Sequence, residues 1–306
     1  MIRFYLVLIL LSIGWSSWAQ KVQLRLNLEA GKTYQHAVTS KMHSFIVAED
    51  GHMGLDITIN GVYSFHVKSI NSDQEYEMET RFEKLSMTMA MPQGTLSFSS
   101  ESEDTSDPFS MIMTSIVGHP IPLRMNSLGT ITFIDTSTTL WDQAVERYVP
   151  EAKRVQVRAQ LMKSFGPESM KTQLELVTEF YPEAMVSRQD TWVKSATHHS
   201  QGMDMTTTNT YRLEAVSPDS IRISGIGVVQ PKAAGDYIQG SSGYTSSNLS
   251  GKNSFQLTMD RKSGWLRSGT VTQDISGEIY VKPTLEATDS SKIFMEMNGE
   301  TVLSAN

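Results

Sequence analysis

Apolar and polar residues alternate with period two over much of this chain, the pattern of strands with one buried face. Val22, Leu24, Leu26 and Leu28 alternate with polar neighbours up to a turn at Ala30-Gly31-Lys32. Leu55, Ile57 and Ile59 lead to Asn60-Gly61, a tight-turn signal, and Tyr63, Phe65 and Val67 continue beyond it. Tyr76 to Met91 is another alternating stretch, with Met87, Met89 and Met91 on one face. Short connections between such runs predict antiparallel neighbours, because parallel strands need long crossovers. Ser99 to Asp107, acidic and serine-rich and followed by Pro108, reads as a solvated loop, and a further strand passes through Leu123, Met125, Gly129, Ile131 and Phe133.

The period changes after Asp135. Leu140, Trp141, Ala144, Val145 and Tyr148 fall at helical spacing behind the cap candidates Ser137 and Thr138, and Pro150 ends the run. Ala152, Val155, Ala159 and Met162 predict a second helix ended by Gly166-Pro167, and Met170, Leu174, Val177 and Tyr181 a third closed by Pro182. Alternation resumes at Trp192 and passes through Met203, Met205, Tyr211, Leu213 and Ala215. It continues after a Ser217-Pro218-Asp219-Ser220 turn at Ile221 and Ile223. Ala234 to Ser254, crowded with Gly, Ser and Asn, reads as a long flexible loop. Strands return at Phe255, Leu257 and Met259 and from Trp265 to Tyr280, with a last hairpin signal at Asn298-Gly299.

The expected fold class is mainly β (α+β overall). Two related antiparallel β-meander halves, curved sheets or half-barrels, are joined by a short three-piece helical insert. The first half is expected over 20–135, the insert over 136–182 and the second half over 183–306, both halves forming one unit. They are called related because landmarks recur in order: Thr33-Tyr34 with Thr191-Trp192, and Tyr63 to Val67 with Tyr211 to Ala215. Leu123 to Asn126 followed by Gly129 and Ile131 likewise matches Leu257 to Asp260 followed by Gly264 and Leu266.

Before all this stands an export signal. Arg3, the apolar run Phe4 to Ile13, Gly14 and the small residues Ser17 and Ala19 have the order of a secretory signal peptide over 1–19, cleaved between Ala19 and Gln20. The apolar run is well short of the ~20 residues that span hydrocarbon, and no later segment is a continuous apolar span. The expected location is therefore periplasmic or extracellular. Taken with this leader, several features resemble an exported Bacteroidota family known only as a domain of unknown function. They are Gly31-Lys32-Thr33-Tyr34, Tyr181-Pro182-Glu183 with Val186, Asp190-Thr191-Trp192 and the Asp260 to Leu266 stretch. Gln189 stands where such relatives tend to have Gly. The resemblance implies export and a β-rich fold, and brings no activity, cofactor or catalytic residue.

Composition narrows the chemistry. The 306 residues carry 26 Lys+Arg against 33 Asp+Glu, a formal charge of −7, which lacks the basic footprint of nucleic-acid binding. No cysteine is present, so disulfides, thiol nucleophiles and thiolate metal sites are excluded. No Gly-x-Ser-x-Gly elbow or His-Glu-x-x-His occurs. Gly240-Ser241-Ser242-Gly243 reads as a linker turn, and Gly225-Ile226-Gly227 as a strand with close backbone packing. The 18 methionines raise a copper alternative at Met87-Thr88-Met89-Ala90-Met91 and at His198-His199 with Met203 and Met205, since thioethers and imidazoles ligate copper. Packing of methionine on a buried strand face explains the spacing more simply.

No catalytic, cofactor-binding or metal residue is singled out. The favoured reading is an exported, non-enzymatic protein that binds an apolar or lipid-like ligand in a β-sheet pocket. The alternative is a structural or protein-interaction module of the envelope, and an uncharacterised hydrolase comes third.

Overall fold

Alternation builds strands, and the strands pair in one direction only. The computed structural model describes residues 21–305 except 50, 105, 201–202, 232–235 and 241–242. The predicted cleavage site at Ala19 and Gln20, and the leader before it, lie outside the described residues. The first half contains β1 (Thr33–Ala48), β2 (Gly51–Ile70), β3 (Tyr76–Met91), β4 (Gly94–Ser99), helix α1 (Pro108–Ile116), β5 (Ile121–Met125) and β6 (Ile131–Ile134). Helices α2 (Thr139–Tyr148), α3 (Glu151–Phe165) and α4 (Pro167–Thr178) follow. The rest is β7 (Thr191–Ser200), β8 (Met203–Val216), β9 (Ser220–Pro231), β10 (Ile238–Gly240), β11 (Gly243–Ser247), β12 (Ser250–Asp260), β13 (Leu266–Lys282) and β14 (Ser291–Ser304).

The fold is mainly β, with a small three-helix insert and one additional helix. The two halves belong to a single antiparallel sheet, which is not closed into a barrel. Its order is β6-β5-β3-β2-β1-β14-β13-β12-β9-β8-β7, with β4 on β3 and the β10–β11 hairpin on β13. The last strand is the seam: β14 pairs with β1 through Val38↔Leu303 and with β13 through Gly269↔Leu303.

The landmarks matched between the halves occupy corresponding places. Pairing runs β1-β2-β3-β5-β6 in one wing and β7-β8-β9-β12-β13 in the other. A bulge interrupts β5–β6 at Arg124/Met125 and β12–β13 at Thr258/Met259. The turns after them are built alike. Asn126 Oδ1 accepts from the backbone N–H groups of Leu128 and Thr130, and Asp260 Oδ1 from those of Lys262 and Ser263. Gly129 and Gly264 both have positive φ, +80° and +72°.

Several sequence expectations need correction. Asn60-Gly61 and Asn298-Gly299 are not turns; both lie inside long strands, where Gly61 faces Val38 and Gly299 faces Met42. A local turn preference loses here to ladder hydrogen bonds on both sides. The Ala234–Ser254 loop instead contains β10, β11 and the start of β12, while 234–235 and 241–242 lie outside the described residues. The Val22–Leu28 run forms a single bridge, Val22↔Val186, rather than a strand. It buries Leu24, Leu26 and Leu28 while its N–H groups reach the two turns, Leu26 to Ser127 O and Asn27 to Ser263 O. Helix α1 was not anticipated: Asp107 caps it through Phe109 and Ser110 N–H, and Pro108 begins it.

The insert divides into three helices, but α3 buries Leu161 and Phe165 while the predicted face of Ala152, Val155 and Ala159 is exposed, and α4 ends at Thr178, short of Tyr181. Thr138 precedes α2, Pro150 precedes α3, and Gly166 separates α3 from α4. Trp141, Ala144, Val145, Leu161, Met170 and Leu174 join one apolar core with the inner faces of both wings. A smaller cluster, Val229, Leu249, Ile275 and Ile279 with Met205, Met295 and Met297 beside it, lies on the outlying part of the sheet.

Candidate functional site

On β1 and β2 every second residue points inward, and register fixes which of them meet. His36 faces Tyr63, Val38 faces Gly61 and Ser40 faces Ile59. Gly61 has no side chain, so the Tyr63 ring lies over it; a Cβ there would stand 2.8 Å from the ring. A cavity of about 270 Å³ lies between the seam of the sheet and the insert. Its walls come from His36, Val38 and Ser40 of β1, Ile59, Gly61, Tyr63 and Phe65 of β2, Thr301 and Leu303 of β14, Gln273 of β13 and Leu174 of α4. The lining is mainly apolar, with a few fixed polar atoms, which is the usual make-up of a small-molecule site.

One end is an aromatic cluster. His36 stacks on Trp265 with ring centres 4.5 Å apart, and Trp265 also meets Phe65 at 5.2 Å and Tyr34 at 5.1 Å. His36 is 3% exposed, and its Nε2 lies 3.2 Å from Leu266 O. Burial pushes the imidazole down to about 4, so it is neutral at pH 7. Burial likewise pushes the Tyr63 hydroxyl up to about 12, keeping its proton in place. Thr301 Oγ1 donates to Ser40 Oγ at 3.0 Å.

Other residues marked in the sequence fall elsewhere. Met87 is buried facing Ile59 and Phe98, and Met89 packs against the same core, as a strand face of methionines should. The side chains of His198, His199 and Met203 lie outside the described residues, and Met205 packs on the smaller apolar cluster. Among the described residues no group of three or more His, Asp or Glu is placed to hold a metal ion. Gly240 pairs with Gly243 in the β10–β11 hairpin, with Ser241 and Ser242 outside the described residues. Gly225 and Gly227 lie in β9, where a Cβ would strike Tyr211 and Asn209 respectively, in keeping with close backbone packing. Among the described residues no helix is long and apolar enough to cross a membrane.

In the sequence His36 does not stand out, and Tyr63 stands out only as a landmark of the repeat. The available signal was a histidine two residues after Tyr34 and two before Val38, on the inward phase of the strand.

A family model matches residues 73–266, well over half of the chain. The chain belongs to DUF6263, a family of unknown function. The segment matched to DUF6263 contains Leu174 and Trp265, whereas β1, β2 and β14, which carry most of the cavity wall, lie outside it. No curated protein matches this DUF6263 chain. Among solved structures, Salmonella typhi OmpF in complex with daunomycin is similar at 7% identity and a TM-score of 0.25, covering 92% of this chain and 100% of that one. Pseudomonas aeruginosa OpdQ is similar at 5% identity and a TM-score of 0.22, covering 90% and 99%. Neither score is high enough to indicate a shared fold.

Proposed function

We propose that this protein is an exported, non-enzymatic binder of a small apolar or lipid-like molecule, held between the seam of the sheet and α4. The observation that carries the reading is the cavity of about 270 Å³, with Val38, Ile59, Phe65, Leu174 and Leu303 in its walls and no Lys, Arg, Asp or Glu among its lining residues. Size narrows the ligand. An apolar cavity of about 150 Å³ accepts benzene, so this one has room for roughly ten non-hydrogen atoms. That suits one medium-length chain or a two-ring compound, and a diacyl phospholipid does not fit inside.

Naphthalene, with ten carbons, is a suitable probe. The full chain should bind it saturably, read by its fluorescence. Val38→Phe, which places a ring in the cavity, should weaken binding at least tenfold, and a cooperative melt shows that the fold is kept. Absence of binding by the parent chain up to the solubility limit of naphthalene would overturn the reading. Native mass spectrometry of the protein purified from its own host then identifies the natural occupant.

A further inference from the structure

The cavity wall contains two polar groups that the protein itself leaves unused. His36 and Tyr63 are register partners on β1 and β2, and both line the cavity. They are 3% and 7% exposed. A carbonyl oxygen can only accept, so the contact from Nε2 to Leu266 O places the imidazole proton on Nε2. Nδ1 is then a bare lone pair, with no hydrogen-bond partner among the described residues. The Tyr63 hydroxyl makes no hydrogen bond among the described residues either; its ring packs against Phe82 and over Gly61. Buried polar groups are normally paired, because an unpaired one loses its hydration without replacement. Here one acceptor and one donor, on neighbouring strands of a mainly apolar cavity, have no protein partner among the described residues; the other polar lining residues are Ser40, Thr301 and Gln273.

That pair specifies a complement. A ligand hydroxyl donates one hydrogen bond and accepts others, so it can give its proton to Nδ1 or accept from Tyr63 Oη, whichever it meets. An ether oxygen can only accept, which leaves Nδ1 unserved. A carboxylate can only accept and also brings a charge, and the cavity lining holds no cationic side chain to meet it. An ammonium offers donors but nothing for Tyr63 to donate to, and its charge is equally unmet.

We propose that the cavity selects neutral apolar molecules bearing a hydroxyl, medium-chain alcohols or small hydroxylated ring compounds, with the hydroxyl donating to His36 Nδ1 or accepting from Tyr63 Oη. This rests on the cavity being a ligand site, and it names the chemical class of the ligand.

The test is isothermal titration of the full chain at pH 7.5 with four probes: naphthalene, 1-octanol, its isosteric ether 1-methoxyheptane, and octanoate. One neutral hydrogen bond corresponds to roughly a three- to tenfold change in affinity. 1-Octanol should therefore bind three- to tenfold tighter than the ether, and at least a hundredfold tighter than octanoate. Tyr63→Phe removes one oxygen and little volume. It should weaken 1-octanol three- to tenfold and leave naphthalene unchanged. If naphthalene binds but the alcohol, ether and carboxylate bind alike, or Tyr63→Phe treats alcohol and naphthalene equally, the hydroxyl inference falls while the cavity reading stands. If neither naphthalene nor 1-octanol binds, both fall.

Discussion

Gly129→Ala is expected to remove about 3–5 kcal/mol of folding stability, a large share of the ~5–15 kcal/mol that holds a typical domain together. Two effects combine. The residue has φ +80°, a left-handed conformation that costs a side-chain-bearing residue roughly 1–2 kcal/mol. A Cβ at this position would also stand 1.9 Å from Thr178 O. Thr178 is the last residue of α4, and its hydroxyl donates to Gly129 O at 2.7 Å and to Leu174 O at 3.0 Å. Backbone thus meets backbone at the point where the insert docks on the sheet, and relieving the clash moves the helix that carries Leu174. Gly31 is the control. It also has positive φ, +80°, but nothing lies within 4 Å of its added Cβ, so Gly31→Ala should cost only the conformational part. Urea unfolding of both variants separates the two effects, and equal losses would show that the Gly129–Thr178 contact is not a structural clamp.

The corresponding turn of the other wing should behave in the same way. Gly264 has φ +72°, and a Cβ there would lie 2.2 Å from Arg25 O. Its own carbonyl accepts from the Tyr181 hydroxyl at 2.5 Å. The segment Leu26–Asn27 bonds to both turns, so the two halves are joined at this end by the N-terminal segment and the residues after α4, as well as by β14 at the seam.

These positions also show what could be read from the chain and what could not. Gly129 and Gly264 were visible as matched landmarks, because the residues before them, Asn126 and Asp260, are of the kind that shape tight turns. The strands and the three helices of the insert were visible because periodicity is local and survives without knowledge of partners. Pairing is not local. Asn60-Gly61 has the composition of a hairpin turn, and only the pairing of Val38 and Leu85 on either side of Gly61 makes it strand interior. Helix α1 is hard to see in the sequence because Pro108 after an acidic, serine-rich stretch reads as a loop end, although Asp107-Pro108 equally marks a helix start. The cavity depends on β1, β2, β13 and β14 meeting at the seam, with α4 across them. No short-range pattern could place His36 beside Tyr63 or Trp265.

Acidification should expose that buried histidine. His36 sits at about 4 in the folded chain against 6.5 for the ordinary side chain, with burial the cause. Between those two values the unfolded chain binds a proton that the folded chain refuses. Stability therefore rises with pH across this window and is lost as pH falls from 6.5 toward 4. At about 1.4 kcal/mol per pH unit the loss is about 2 kcal/mol by pH 5 and about 3 kcal/mol by pH 4. The upper part of the window isolates the effect. Carboxylates held low by cationic partners, such as Glu79 by Lys68 and Asp142 by Arg158, lose stability only as pH falls through the carboxylate range, whose ordinary values here are 4.5 and 3.8. Urea midpoints measured from pH 7 to 5 should show the slope in the parent chain, and His36→Leu should flatten it. A parent chain with equal stability at pH 7 and pH 5 would mean that the imidazole can accept its proton in place. Nε2 is committed to Leu266 O, so that proton could enter only at Nδ1. Its absence in the folded state is what leaves Nδ1 a hydrogen-bond acceptor.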